Sequence, residues 1–257
     1  ADYYVALTGN DAHAGDLQAP FRHITRALEV AGDGDRIRVF GDTYAEGLED
    51  EFRALVVPQS DLILGNMPGE EVTVVPATSG QHTYGVELVG DRVVLRVAML
   101  GISCNVGPCL NWRLQYVQVI NTAGAAGSGA DAIAVEDGDN ILIERTEASG
   151  AAADGIDLKA ARVAVVCVCV HHVQRNGIKL WRGGDVVNAL VEHTGAAAAI
   201  VFDSGSRYRL LNCAVCYHNY GMGASYVMTV AYDSQDEAGE LDIVNCVFFR
   251  NAGGIFI

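Results

Sequence analysis

Basic residues are scarce: 17 Lys and Arg stand against 32 Asp and Glu, for a formal net charge of −15. So acidic a chain repels nucleic acid and anionic membranes, and no basic stripe offsets the charge, so neither is expected as a partner. A polyanionic sugar would be repelled as well unless a cation intervened. Proline is also rare, at 5 residues of 257. No apolar run reaches the roughly 18 residues of a membrane span. The opening ADYYVALTG lacks the basic and apolar segments of a signal peptide, so either a signal was removed or there was none. The seven cysteines follow no zinc-ligand spacing, and an odd number cannot all pair. Cys104 and Cys109 could join across a loop.

Half of the residues are hydrophobic, glycine numbers 29, and β-branched and aromatic residues cluster in short runs, the composition of a soluble β-rich chain. Within these runs one strand recurs: DAIAVE at 131–136, DGIDLK at 154–159 and NGIKLW at 176–181, at spacings of 23 and 22 residues. It continues as AAIVFD at 198–203, SYVMTV at 225–230 and GGIFI at 253–257. A recurrence of that length marks a stacked-repeat solenoid, which grows without dividing into domains. One domain over 1–257 is expected: strand, loop and helical cap over 1–34, irregular early coils over 35–130 and regular coils over 131–257.

Alternation puts Ile133, Ile156, Ile178, Ile200, Val227 and Ile255 on the core face, with Val135, Leu158, Leu180, Phe202, Thr229 and Ile257 two residues on. Ala134, Asp157, Lys179 and Val201 then point outward, as do Glu136, Lys159, Trp181 and Asp203, stacked about 4.8 Å per coil. In the second strand, Cys167, Ala189, Cys213 and Cys246 are expected in one inward column and Cys169, Val191, Val215 and Phe248 in the next, the cysteines acting as core filler. Asn188, Asn212 and Asn245 each precede that strand and are expected to stack as an amide ladder in a bend. His171, His172, His193 and His218 recur near the strand's exit and read as turn residues.

Elsewhere, Ile24, Ala27, Leu28 and Ala31 lie at helical spacing in 22–31, closed by Gly32, and predict a short amphipathic helix over the open end of the solenoid. Residues 101–115 read as a loop excursion, GAAGSGAD at 124–131 as a flexible turn, and 231–240 as an acidic surface loop. The last strand stops in mid-repeat, which suggests either a truncated chain or a homo-oligomer formed through Phe256 and Ile257.

The opening pattern YYV-x3-G-x-D, APF-x2-I-x2-AL and GD-x-I-x-V resembles right-handed parallel β-helix proteins of the pectate-lyase-like superfamily, and polysaccharide lyase family 9 in particular. Three further stretches are similar to that family's motifs: ADAI at 130–133, ADGID at 153–157 and NGIKL at 176–180. The resemblance implies a single-stranded right-handed parallel β-helix, secreted or at the cell surface, that cleaves a uronate-containing polysaccharide by Ca²⁺-assisted β-elimination. Asp131, Asp154 and Asp157 would then be calcium ligands and Lys179 the base. Ala153 stands where the family's motif has another aspartate, Ala132 replaces a glycine, and only one plain coil separates Asp157 from Lys179.

Three hard oxygen donors from adjacent coils suit Ca²⁺, and a bridging cation would acidify the α-proton of a uronate. Yet D/N-G-I-x-L is also the bare repeat: Asp or Asn for the turn, Gly for a positive φ, Ile and Leu for the core. Lys179 reads equally as a solvated lysine. Lys159, Trp181, Arg182, Glu136 and Asp203 lie on or beside the same face and are candidate substrate-binding residues, Trp181 by stacking on a sugar ring or else packed under a loop, and Arg182 by clamping a carboxylate. Two further readings stay open: a non-catalytic carbohydrate-binding or surface β-helix, and a glycoside hydrolase using Asp157 with Asp203 or Glu136.

Overall fold

The recurring isoleucine becomes one column of the structure. In this computed structural model the strands carrying Val86, Cys104, Ile133, Ile156, Ile178, Ile200, Met228 and Ile255 pair in that order, each parallel to the next. The structure describes residues 1–47, 53–77, 84–96, 98–100, 104–106, 109–120, 131–195, 198–204, 207–218, 226–230 and 240–256. The flexible turn expected at 124–131, Asp131 apart, and the acidic loop expected at 231–240, Glu240 apart, lie outside these residues, as do the side chains of Cys104 and Cys109. Among the described residues the strands form one sheet of 19 and one of 9, and the smaller takes one strand from each of nine successive coils, from Asp42–Glu46 to Val247–Phe249. The chain is a single-stranded right-handed parallel β-helix.

Its interior is made of like residues stacked on like. Ile133, Ile156, Ile178 and Ile200 are fully buried, and Val135, Leu158, Leu180 and Phe202 repeat the pattern two residues on. Each aliphatic layer covers the next, so burial needs no partner layer from another element.

Bends between strands require left-handed backbone, and it recurs in register. Tyr116, Arg145, Cys167, Asn188, Asn212 and Asn245 hold φ between 50° and 56° at one corner. There Asn245 donates its amide to Asn212 Oδ1 at 2.9 Å, and Asn188 approaches Cys167 Sγ at 3.7 Å. A second corner holds Asn111 and Asn140, 2.6 Å apart through their amides. A third places His172, His193 and Tyr217 at φ 53°, 49° and 57°, their rings stacked at 4.8 and 4.9 Å. Asparagine tolerates this conformation best among side chains that carry a Cβ, which explains its recurrence.

Four expectations are corrected. Met228, not Val227, pairs with Ile200 and Ile255; the two neighbours are both apolar and both buried, so hydrophobicity does not choose between them. In VVCVCV the inward residues are Val165, Val168 and Val170; Cys167 sits exposed at the bend and Cys169 faces outward half-buried, while Cys213 is in the core as expected. Within 101–115, the strands Cys104–Val106, Cys109–Leu110 and Arg113–Gln115 belong to the coils, anchored by fully buried Trp112 and Leu114. Finally, Gly155 and Gly177 do not have positive φ: a Cβ at Gly155 would lie 2.3 Å from Val170 Cγ1, and one at Gly177 2.4 Å from Val191 Cγ1. They are glycines for space.

The helix Ile24–Val30 covers the first coil with buried Ile24, Ala27 and Leu28. Its N-terminus has no side-chain cap of its own, and buried Glu46 supplies one, accepting Ile24 N–H at 2.7 Å and Thr25 N–H at 3.2 Å.

The bend ladder makes a direct prediction. Asn212→Ala removes one amide rung and places an unassisted Cβ in left-handed backbone, costing about 1–2 kcal/mol in urea unfolding, while Asn212→Gly recovers most of that loss. Equal stability of the alanine and glycine variants would show that backbone conformation does not set the residue at this corner.

Candidate functional site

Two of the aspartates, Asp131 and Asp154, form a ladder with Asn176 along one edge of the helix. Asp131 Oδ1 accepts Asp154 N–H at 2.8 Å, and Asp154 Oδ1 accepts Asn176 N–H at 3.0 Å and its side-chain amide at 2.9 Å. Asn176 Oδ1 in turn accepts Ala198 N–H at 2.9 Å. Each acidic or amide side chain thus satisfies the backbone where the next coil's strand begins. Asp157 lies further along the strand Ile156–Val166, buried, and accepts Trp181 Nε1–H at 2.6 Å.

The cluster is electrostatically tense. Burial, then the charges of Asp154 and Asp157, push the Asp131 carboxyl up to about 6 against the N–H bond it accepts, which pulls it down. Burial also raises Asp157, opposed by the Trp181 bond and aided by the charge of Asp154. Arg175 stands 4.0 Å from Asp154 and offsets part of this repulsion. Like charges crowded in a partly dry site are what a cation relieves. Geometry argues the other way: each carboxylate already spends an oxygen on the ladder or on Trp181, and among the described residues no three His, Cys, Asp or Glu side chains are grouped as a metal site requires. As arranged, the three aspartates connect coils, Asp131 and Asp154 through backbone N–H groups and Asp157 through Trp181.

Beside them the outward face carries an interlocked strip. Lys179 pairs in register with Asp157. Its Nζ lies 3.6 Å from the centroid of the Trp181 ring and 3.8 Å from Asp203 Oδ2. Lys159 bonds Glu136 at 2.6 Å, which raises its pKa, and sits 6.0 Å from the same indole. Arg182 reaches back two coils to Asp137 at 2.8 Å. All the candidates therefore gather on one face, although Arg182 pairs at its margin. Trp181 is half-buried beneath Lys179 rather than under a loop.

The sequence reading missed Asp137 as the partner of Arg182 and Asn176 as a rung; the recurrence of Asp or Asn at 131, 154 and 176 was the available signal for the second. His171 and Glu147 form a separate pair at 3.0 Å, and buried His218 meets Thr194 at 2.6 Å, so the histidines divide between turn and core.

Residues 7–240 match a family described as proteins of unknown function, DUF1565. The chain belongs to that family. Among curated proteins none matches. Among solved structures, the DUF1565 chain is similar to the pectate lyase Pel9A, with a TM-score of 0.63 at 14% identity over 95% of this chain and 78% of that one. A tailspike protein, Dettilon, gives 0.49 at 13% identity over 85% of this chain and 50% of that one. A rhamnogalacturonan lyase gives 0.46 at 12%, over 98% and 69%. At such identities the likeness to Pel9A is one of fold.

The titration of Asp131 has a checkable sign. Its folded pKa of about 6 lies above the ordinary 3.8, so the stability this group contributes is complete below the ordinary value and is lost as pH rises through about 6. With chelator present, Asp131→Asn, which can still accept the Asp154 N–H, should unfold at a higher temperature than the wild type at about pH 7 and lose most of that advantage near pH 4. A difference that does not change with pH would refute the buried-carboxylate account.

Proposed function

We propose that the DUF1565 chain is a carbohydrate-related β-helix whose outward strip of Lys159, Lys179, Trp181, Asp203 and Glu136 binds a uronate-containing polysaccharide. The observation that carries this reading is the conjunction at Trp181: an indole with Lys179 over its ring at 3.6 Å and its N–H on Asp157 at 2.6 Å. A fixed aromatic edge, two ammonium groups and carboxylates within a few coils supply what a uronate presents: an apolar ring face, a carboxylate and hydroxyls. Lys159 and Lys179 are held by Glu136 and Asp203, so a sugar carboxylate would exchange for a carboxylate partner already there. This is how a strongly acidic chain could hold an acidic polymer. The fold shared with Pel9A, a pectate lyase by name, is consistent with that substrate class.

A second reading adds chemistry on the same face. Lys179 would remove the proton α to the uronate carboxylate, and the glycosidic oxygen at the β-carbon would leave as the double bond forms. The crowding that lifts Asp131 to about 6 favours a cation at Asp131, Asp154 and Asp157 once polymer is bound, and calcium is the cation suited to three carboxylates.

Calorimetry with oligogalacturonate and with an uncharged oligosaccharide, alongside Trp181→Ala and Lys179→Ala, tests the binding. Trp181→Ala should weaken both ligands roughly tenfold, and Lys179→Ala should weaken the uronate alone. Unchanged affinity in both variants would remove the strip as the binding face. Ultraviolet absorbance of unsaturated uronate products, followed in Ca²⁺ and in chelator, decides the chemistry: a Ca²⁺-dependent rise that Lys179→Ala abolishes establishes the lyase, and no rise on any uronan leaves binding alone.

A further inference from the structure

A groove of about 660 Å³ runs along the concave corner between the two sheets, on a different bend from the strip just described. Its floor is apolar, with buried Val72, Val117 and Val168. Arg96 lines the groove and is fixed by donating to Gln115 Oε1 from two nitrogens, at 2.8 and 3.1 Å, while Gln115 in turn donates to Glu144. Gln118 and Glu147 line the groove as well, Gln118 donating to Glu147 at 3.0 Å, and His171 holds the opposite oxygen of Glu147 at 3.0 Å. In the corner stands Tyr116, 60% exposed, with the Arg145 guanidinium 4.9 Å from its ring centroid.

Arg96 and Arg145 stand apart from the arginines that carboxylates hold. Arg92, Arg162, Arg182 and Arg209 are each held by a carboxylate, as an excess of acid predicts. Among the described residues Arg96 and Arg145 have neutral side-chain partners, Gln115 and Tyr116. Two guanidinium groups without a carboxylate, in a chain of net charge −15, leave bidentate donors for an incoming anion. Glu147 and Glu71 line the same groove and disfavour a dense polyanion such as a nucleic acid, but they accept hydroxyl hydrogen bonds readily. An exposed ring, carboxylate-free arginines and fixed acceptors on an apolar floor match a sugar that bears an occasional carboxylate.

We propose that this corner is a second saccharide-binding site, taking a uronate-bearing oligosaccharide that lies along the solenoid axis with one ring on Tyr116 and its carboxylate on Arg96 and Arg145. The site is independent of the Trp181 strip, and it contains its own reporter. Cys167 is an exposed free cysteine lining the groove at the Tyr116 bend, off the strand Ile178–Val187 that carries Lys179.

The test is the rate of Cys167 alkylation, read by peptide mass spectrometry on the full chain, with and without saturating oligogalacturonate. Protection of several-fold is expected in the wild type and in Trp181→Ala, and loss of that protection in Tyr116→Ala and in Arg96→Gln/Arg145→Gln. Tyr116 and both arginines are exposed, and the unfolding midpoint of each variant, measured alongside, separates loss of the site from loss of the fold. Unchanged Cys167 reactivity in oligogalacturonate overturns the proposal, whatever binds at Trp181. Protection that vanishes in Trp181→Ala assigns all binding to the strip and overturns it as well. Equal protection by a polyglutamate peptide would overturn the sugar assignment in favour of an acidic peptide. Protection that persists in Trp181→Ala while the strip variants show no calorimetric effect would keep the groove and discard the strip.

Discussion

Each coil of this protein has its backbone hydrogen bonds made by the coils on either side of it. Ile156, for example, pairs with Ile133 on one side and Ile178 on the other, and the same holds along the regular run. A parallel strand cannot be satisfied within its own coil, so register between coils is the constraint from which the rest follows. Register in turn needs each bend to fall at the same place every time. That is why left-handed residues line up in three columns, and why Asn, His, Tyr, Arg and Cys can share those columns provided each holds a φ near 50°.

The same constraint shapes the charged surface. Outward residues in register are spaced by the strand repeat, so charges of one sign in successive coils would repel and charges of opposite sign would pair. The chain resolves its acid excess in this way, with Lys159 to Glu136, Arg162 to Asp139 and Arg209 to Asp185, each pair spanning one coil. The aspartates at 131 and 154 are the exception. They stay crowded because each accepts a backbone N–H from the next coil, a structural need that outweighs their mutual repulsion.

Much of this was legible in the sequence, and the boundary between what was and what was not is physical. The fold, the inward isoleucines, the asparagine bend and the capping helix all follow from periodicity, which a sequence displays directly. Register failed at Val227 and Met228 and within VVCVCV, where adjacent residues are both apolar and hydrophobicity does not choose between them. The role of Gly155 and Gly177 was misread because absence of a side chain signals left-handed backbone and lack of space alike, and only the 2.3 Å approach of Val170 separates them. The groove at Tyr116 could not be seen at all. Its residues come from successive coils that are far from regular in sequence, and Arg96, Gln115 and Glu144 meet only because the early coils, despite their irregular spacing, stack in register.

Whether the Trp181 face does chemistry turns on what Lys179 faces. A base must offer a lone pair, and an ammonium between an indole face at 3.6 Å and a carboxylate at 3.8 Å is held by contacts that only its charged form makes well. For Lys179 to act, both contacts would have to be exchanged on binding: the sugar ring for the indole, and a cation near Asp157 and Asp203 for the charge that those carboxylates now balance. The aspartate ladder and Asp157 are where such a cation would have to come, and there each aspartate already commits one oxygen to a hydrogen bond. Binding requires none of these exchanges beyond one carboxylate for another. On the proposed reading, recognition of a uronate asks for that one exchange alone, whereas catalysis would also ask for a metal that reorganises the strip.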